Sequence, residues 1–483
     1  MKDKLKNIGE YIEAEVERYK VPGMALSVNF NGENVLSQGF GFADLESEEK
    51  LTGDHAWCIA SCSKAFTSAL IAILVDKGLI DYDTPIVEYL PDFKMDDEEA
   101  SAKCTIRDML MHRTGLSEHD ALWCDTIDRA ELYKRLAYLK SRSPFRKEMI
   151  YNNTVYTLIG AIAEKVSGLS WEEMIREWIF KPLGMDHSVP CYKDIYQFEK
   201  VATPYWNYYG IAQKLPVWDL TPGDPCAGIS THLDDAMKWL EFNCNRGKTA
   251  DGVQLISEKQ MDEMHKKQID HDIWKWEWPG LVKEGGYGLG WFCHRHKGHD
   301  IVFHTGEIEG YCTLFAFVED VKLCFAAYIN MHHASKTPLF SVFYTVMDEL
   351  LDLPKTDWAT EFAKRMDDID EMRNDWDVDL VSKLTREPGT SPSLDLNAYT
   401  GKYWHNGYGE MSIVTQAAGI KAIFRGNSHP LEHFHYDTFL IKDVKEDTLV
   451  VTAPVEFVLE GGKVLALKAK LDPGTEAIEF TRK

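Results

Sequence analysis

The stretch Ser61-Cys62-Ser63-Lys64 sets a serine hydroxyl and a lysine amine three positions apart, ahead of an apolar run. In a helix that spacing puts both side chains on one face, within reach of each other. A serine at a helix N-terminus also meets the positive end of the dipole, which favours an anionic oxygen. A lysine packed among apolar residues is pushed towards the neutral amine that can take up a proton. Together these features describe an activated nucleophile able to form an acyl-enzyme. Ser47-Glu48-Glu49-Lys50 has the same spacing but lies in a polar stretch with no apolar helix behind it, so Ser61 with Lys64 is the candidate pair.

Two later segments carry groups that suit the same chemistry. Tyr151-Asn152-Asn153 precedes an apolar helical pattern from Val155 to Val166. Tyr151 could relay the serine proton, and Asn153 could donate to a substrate carbonyl. Bare Y-x-N also occurs at Tyr205 and Tyr328, where a buried tyrosine and a capping asparagine form the ordinary alternative. His304-Thr305-Gly306 falls in a strand-like run. Gly306 admits close backbone approach, and His304 can hydrogen-bond or carry charge opposite the nucleophile.

The elements that would hold these groups follow from periodicity. MALSVNF and ENVLSQGF flank Asn31-Gly32, a pair suited to a tight hairpin, so an antiparallel sheet opens here. From Ser61 to about Val75 apolar residues occupy nearly every face, as in a buried central helix. A mostly helical region spans about 80–245, and strand patterns return at YGLGWF, IVFHTG, YCTLFAFV and LCFAAYIN. These divide the chain into a catalytic domain over 1–352, a helical linker over 353–393 ending in EPGTSPS, and an all-β domain over 394–483.

Bulk properties narrow the partners. The 483 residues are 45% hydrophobic and carry a net charge of -24, which repels nucleic acid and anionic membrane surfaces. The N-terminal stretch lacks the apolar core of a signal peptide, and no run approaches the roughly 18 to 20 apolar residues of a membrane span. Ten scattered cysteines without a CxxC pair point to reduced thiols and a cytoplasmic location. The histidines of CHRHKGHD and His433-Phe434-His435 sit at expected hairpin turns, so no metal or other cofactor is assigned. Cys62 reads as a small core filler, and Trp274, Trp276 and Trp278 read as packing residues that could instead wall a cleft.

Taken with the flanks AWCIASCSKAF, TIRDMLMHRTGL, FRKEMIYNNTVYTLIGAIAEKVSG, KPLGMDHS, CAGISTHLDDAMKWL and YGLGW, the three motifs make about residues 10–345 resemble the serine β-lactamase and penicillin-binding-protein-like superfamily. The branch is that of class C enzymes, DD-peptidases, D-aminopeptidases and esterases. The resemblance implies an α+β fold, with an antiparallel sheet flanked by helices and a helical subdomain. The last domain is similar to the lipocalin-like barrel that some of these peptidases bear. By motif match, Ser61 attacks, Lys64 and Tyr151 share the base role, and Asn153 binds the substrate amide. His304, Thr305 and Gly306 line the site, and the backbone N–H groups of Ser61 and Glu307 form the oxyanion hole.

Histidine stands at 304 where β-lactamases usually carry lysine, which favours a peptidase or amidase on short peptides or amides, with or without D residues. A carboxylesterase, acyltransferase or β-lactamase shares the mechanism, and a catalytically silent scaffold is the alternative of another class. Glu307 replaces an expected small residue, and its carboxylate could bind a substrate amine. Homo-oligomers are compatible with the sequence.

Overall fold

The computed structural model describes residues 2–122, 128–208, 211–217, 219–271, 285–332, 336–364, 384–417, 419–445, 448–471 and 475–483. Asn31 and Gly32 both take positive φ, 53° and 78°, which is what a two-residue hairpin requires. They join the strands Gly23–Phe30 and Glu33–Asp44. Nine antiparallel strands form the main sheet, in the order Glu49–Lys50, Glu33–Asp44, Gly23–Phe30, Leu323–Ile329, Tyr311–Val318, His299–Ile308, Phe292–His296, Gly285–Tyr287, Ile269–Asp270.

The centre of the sheet joins distant parts of the chain, because Gly23–Phe30 pairs with Leu323–Ile329. Alternation then sorts the side chains into two cores. Met24, Leu26 and Val28, with Phe325, Ala327 and Ile329, face Ile8 and Ile12 of the first helix and Leu339 and Phe343 of the helix Thr337–Leu350. Ala25, Ala326 and Tyr328 point the other way, into the core shared with the helices Ser63–Asp76 and Leu233–Cys244. Every residue from Ser63 to Leu74 is buried, so this is a central helix wrapped on all sides. Phe66 stacks on Trp239 at 3.8 Å between centroids. Each large apolar side chain buried this way stabilises the fold by about 1.5–3 kcal/mol.

Ser61 itself precedes the helix expected to begin with it. It lies in a 3-10 turn, Ala60–Cys62, and the α-helix starts at Ser63. The region over about 80–245 also contains short strands, including the hairpin Tyr205–Tyr208 and Ile211–Lys214. Past the helix Thr337–Leu350, residues 358–364 are helical and pack back on the catalytic domain. There Trp358 and Phe362 are buried, and Trp358 Nε1 donates to Asp348 at 2.9 Å. By contrast Arg386 and Ser393 already bond the barrel, at Phe434 O (3.0 Å) and Asp437 (2.8 Å). That barrel is closed and has eight strands, from Gly401–His405 to Ile478–Arg482. No described helix is long and apolar enough to cross a membrane.

Burial is also electrostatic. His294 and His304 are buried, and burial pushes each down to about 3 from an ordinary value of 6.5. These groups stay neutral when folded but take up protons when unfolded below about pH 6.5. The stability they contribute is therefore present above 6.5 and lost as pH falls towards 3. One unit of depression corresponds to about 1.4 kcal/mol. The urea midpoint, followed from about pH 7.5 to about pH 4.5, is expected to fall steadily, and a level or rising midpoint contradicts this.

Candidate active site

The chain turns sharply just before Ser61. Ala60 takes a φ of 49°, in the left-handed region that costs a non-glycine residue about 1–2 kcal/mol. Three contacts hold the turn: Ile59 N donates to Ile229 O (2.9 Å), Ile229 N to Ser63 Oγ (3.1 Å), and Cys62 Sγ to His304 O (3.3 Å). Opposite lies the strand His299–Ile308, pressed so closely that a Cβ on Gly306 would stand 2.0 Å from Ile59 O. Glycine at 306 is thus required by space.

Lys64 is completely buried, and its Nζ lies 3.0 Å from Ser61 Oγ, 2.8 Å from Asn153 Oδ1 and 3.1 Å from Cys226 O. Tyr151 completes the cluster, with Lys64 Nζ 4.8 Å from its ring centre. Burial pushes the Tyr151 hydroxyl up, while the Lys64 charge and hydrogen bonds with Lys64 and Ser61 draw it down; burial prevails, so the free protein holds the phenol.

The next helix explains why both asparagines follow Tyr151. Asn152 is the N-cap of Asn153–Ser167 and accepts from Val155 N at 2.9 Å. That leaves Asn153 to face Lys64, while its Nδ2 donates to Asp120 at 2.9 Å. Both ends of the Asn153 amide are therefore engaged within the protein before any substrate carbonyl arrives.

His304 stands behind this group, nearly fully buried, with its ring 6.4 Å from that of Tyr151. Nδ1 donates to Thr305 O at 2.6 Å, so Nε2 accepts from the Tyr287 hydroxyl at 3.1 Å. Burial and the Lys64 charge hold the imidazole near 3, so it is neutral. The option of a charged His304 is set aside, and hydrogen bonding remains.

Glu307 also departs from the expected open carboxylate. It pairs with Lys336 at 2.8 Å and approaches His332 at 3.5 Å, so its charge is already compensated. An incoming α-amine would have to displace these partners.

Three residues without an assigned role prove to frame the site. His112 Nδ1 accepts from Asn152 N (3.0 Å) and its ring lies 4.4 Å from Tyr151, while Tyr287 and Asp120 support His304 and Asn153. His112 and Tyr287 fall within TIRDMLMHRTGL and YGLGW, where polar groups amid apolar residues were the available signal.

Among the described residues, one group has metal-ligand chemistry: Glu172, Cys191 and Asp224. Arg129 already bonds Glu172 and lies 3.9 Å from Asp224, which places a guanidinium where a cation would sit. His294 of the histidine-rich hairpin bonds Tyr344 at 2.9 Å. Cys62 is buried and its thiol is pushed well up by desolvation, as suits a core residue. Trp274, Trp276 and Trp278 lie outside the described residues.

A sheet flanked by helices, with a serine turn set on a buried lysine, defines a β-lactamase-fold serine hydrolase. The chain belongs to the β-lactamase family, whose model matches residues 8–338, and a domain of unknown function (DUF3471) matches 385–482. An unguisins hydrolase of Aspergillus violaceofuscus is 26% identical over 430 residues, 83% of this chain and 75% of that one. Penicillin-binding protein 4 of Amycolatopsis lactamdurans is 26% identical, over 62% of this chain and 78% of its own. The octameric penicillin-binding protein homologue from Pyrococcus abyssi shares the fold over 99% of this chain and 100% of that one, at TM-score 0.63 and 20% identity. D-amino acid amidase from Ochrobactrum anthropi SV3 covers 72% of this chain with 99% of its own, at TM-score 0.60 and 22% identity.

Gly306→Ala would force the strand off the Ile59 carbonyl. The expected result is at least about a 100-fold slower reaction of Ser61 with a fluorophosphonate, read by mass spectrometry, since a displacement near 1 Å costs that much. Wild-type labelling would show that the close approach is dispensable.

Proposed function

We propose that the protein is a serine amidase or peptidase acting on short peptides or amides, including those with D residues, through an acyl-enzyme at Ser61. The observation that carries this reading is the contact of Ser61 Oγ with buried Lys64 Nζ, 3.0 Å apart, beside the Tyr151 hydroxyl. In the form whose Lys64 is an unprotonated amine, Ser61 attacks the carbonyl as its proton passes to the Tyr151 oxygen and the phenol's own proton passes to Lys64 Nζ. Tyr151, a phenol at rest, then delivers a proton to the leaving amine. The backbone N–H groups of Ser61 and Glu307 receive the carbonyl oxygen, because Gly306 lets the two segments approach. Water releases the acid.

Two features favour amides over β-lactams. Position 304, where a lactamase would present lysine, holds a neutral imidazole turned to Tyr287. The nearby cation Lys336 is held by Glu307, so the strand offers little to a substrate that depends on its carboxylate. One relative is by name a hydrolase of unguisins and one neighbour in fold is by name a D-amino acid amidase, which is in keeping with the same direction.

Purified protein assayed with D-aminoacyl amides, blocked short peptides, p-nitrophenyl esters and a cephalosporin tests the reading. Amide hydrolysis that falls about 1,000-fold or more in Ser61→Ala is expected. Turnover of esters alone overturns the amidase reading, and absence of any adduct on Ser61 favours the silent scaffold.

A further inference from the structure

The C-terminal barrel reaches the catalytic domain through the turn between its first two strands, Gly401–His405 and Gly409–Gln416. Gly407 sits so near that a Cβ there would lie 2.6 Å from Leu139 Cδ2, and Gly407 O accepts from Arg135 at 3.5 Å. Beside it, the buried Tyr408 hydroxyl lies 2.6 Å from Nδ1 of the fully buried His119. The other ring nitrogen of His119 bonds Lys140 O at 2.9 Å. A carbonyl can only accept, so Nε2 carries the proton and Nδ1 accepts from Tyr408.

His119 is itself in a costly conformation, with a φ of 49°. The turn it makes delivers the next residue, Asp120, to Asn153 Nδ2 at 2.9 Å, and Asn153 Oδ1 bonds Lys64 at 2.8 Å. In the same segment Ser117 O accepts from Asn152 Nδ2 at 2.6 Å. An unbroken path thus runs from a barrel tyrosine to the amine beside Ser61. Without the Tyr408 hydroxyl, His119 Nδ1 would lose this hydrogen bond in a buried place, and the left-handed turn would lose a side-chain anchor that comes from the barrel.

We infer that Tyr408 is a positioning residue for the catalytic site, acting through His119 and Asp120 to orient Asn153 and Lys64; this rests on the Ser61 acyl-enzyme reading. The barrel then contributes to catalysis in addition to its own fold, although it lies after the last strand and helix of the catalytic domain.

Full-length Tyr408→Phe removes only the hydroxyl. Its fluorophosphonate labelling at Ser61 is expected to slow about 10-fold, within the about 100-fold that a small displacement can cost, with amide kcat falling and KM nearly unchanged. Tyr403→Phe serves as the control, since it loses a bond to the segment just before the barrel, to Tyr399 O at 2.6 Å, and should label at the wild-type rate. In an Asp120→Ala background the Tyr408→Phe effect should disappear, as for residues acting in one chain. Should Tyr408→Phe not fold, His119→Gln leaves the barrel intact and is read the same way. A wild-type rate in these variants, a Tyr403→Phe loss equal to that of Tyr408→Phe, or effects of Tyr408→Phe and Asp120→Ala that multiply independently, overturns the inference. If the wild type shows no Ser61 adduct, the site reading itself fails, which is a distinct result.

Discussion

Lys64 carries a polar amine with no access to solvent, and a buried polar group is tolerated only if its hydrogen bonds are met. Its partners come from Ser61, Asn153 and Cys226, three places far apart in the chain. Much of the fold serves that meeting. The helix Ser63–Asp76 carries the amine, the cap at Asn152 turns Asn153 towards it, and the helix Asp224–Ala227 presents a carbonyl. On the opposite side, Gly306 lets the sheet come against the Ile59 carbonyl, two residues before Ser61.

The imidazoles around Lys64 add no charge of their own to the site. His304 and His112 are both held neutral, largely by burial and partly by the lysine itself. Glu307 and Lys336 neutralise each other at the end of the same strand. The phenol form of Tyr151 fits the same scheme, because a neutral relay avoids placing an anion in a desolvated pocket before the substrate is bound.

Local patterns carried much of this in the sequence. Asn31-Gly32 announces a hairpin because few residue pairs take two positive φ values, and the all-round apolar face after Ser63 announces a central helix. Ser61, Lys64, Tyr151, Asn153 and His304 are reachable because their spacing and flanks resemble a known family. The roles of Asp120, His112 and Tyr287 were not legible, since each acts through a contact across long stretches of chain that no local period encodes. Glu307 misled for the same reason: its partner Lys336 comes from beyond three further strands, and a lone carboxylate in a sequence carries no sign of its pairing. The exact start of the helix was missed because Ala60 adopts a strained φ that its type does not advertise.

With Ser61 as the proposed nucleophile, the acyl oxygen would be received between the backbone N–H groups of Ser61 and Glu307. A crystal structure of the protein after reaction with a fluorophosphonate tests it most directly. A covalent bond to Ser61 Oγ is expected, with the phosphoryl oxygen about 2.7–3.1 Å from both nitrogens. An adduct on another residue, or a phosphoryl oxygen turned away from both N–H groups, would contradict it.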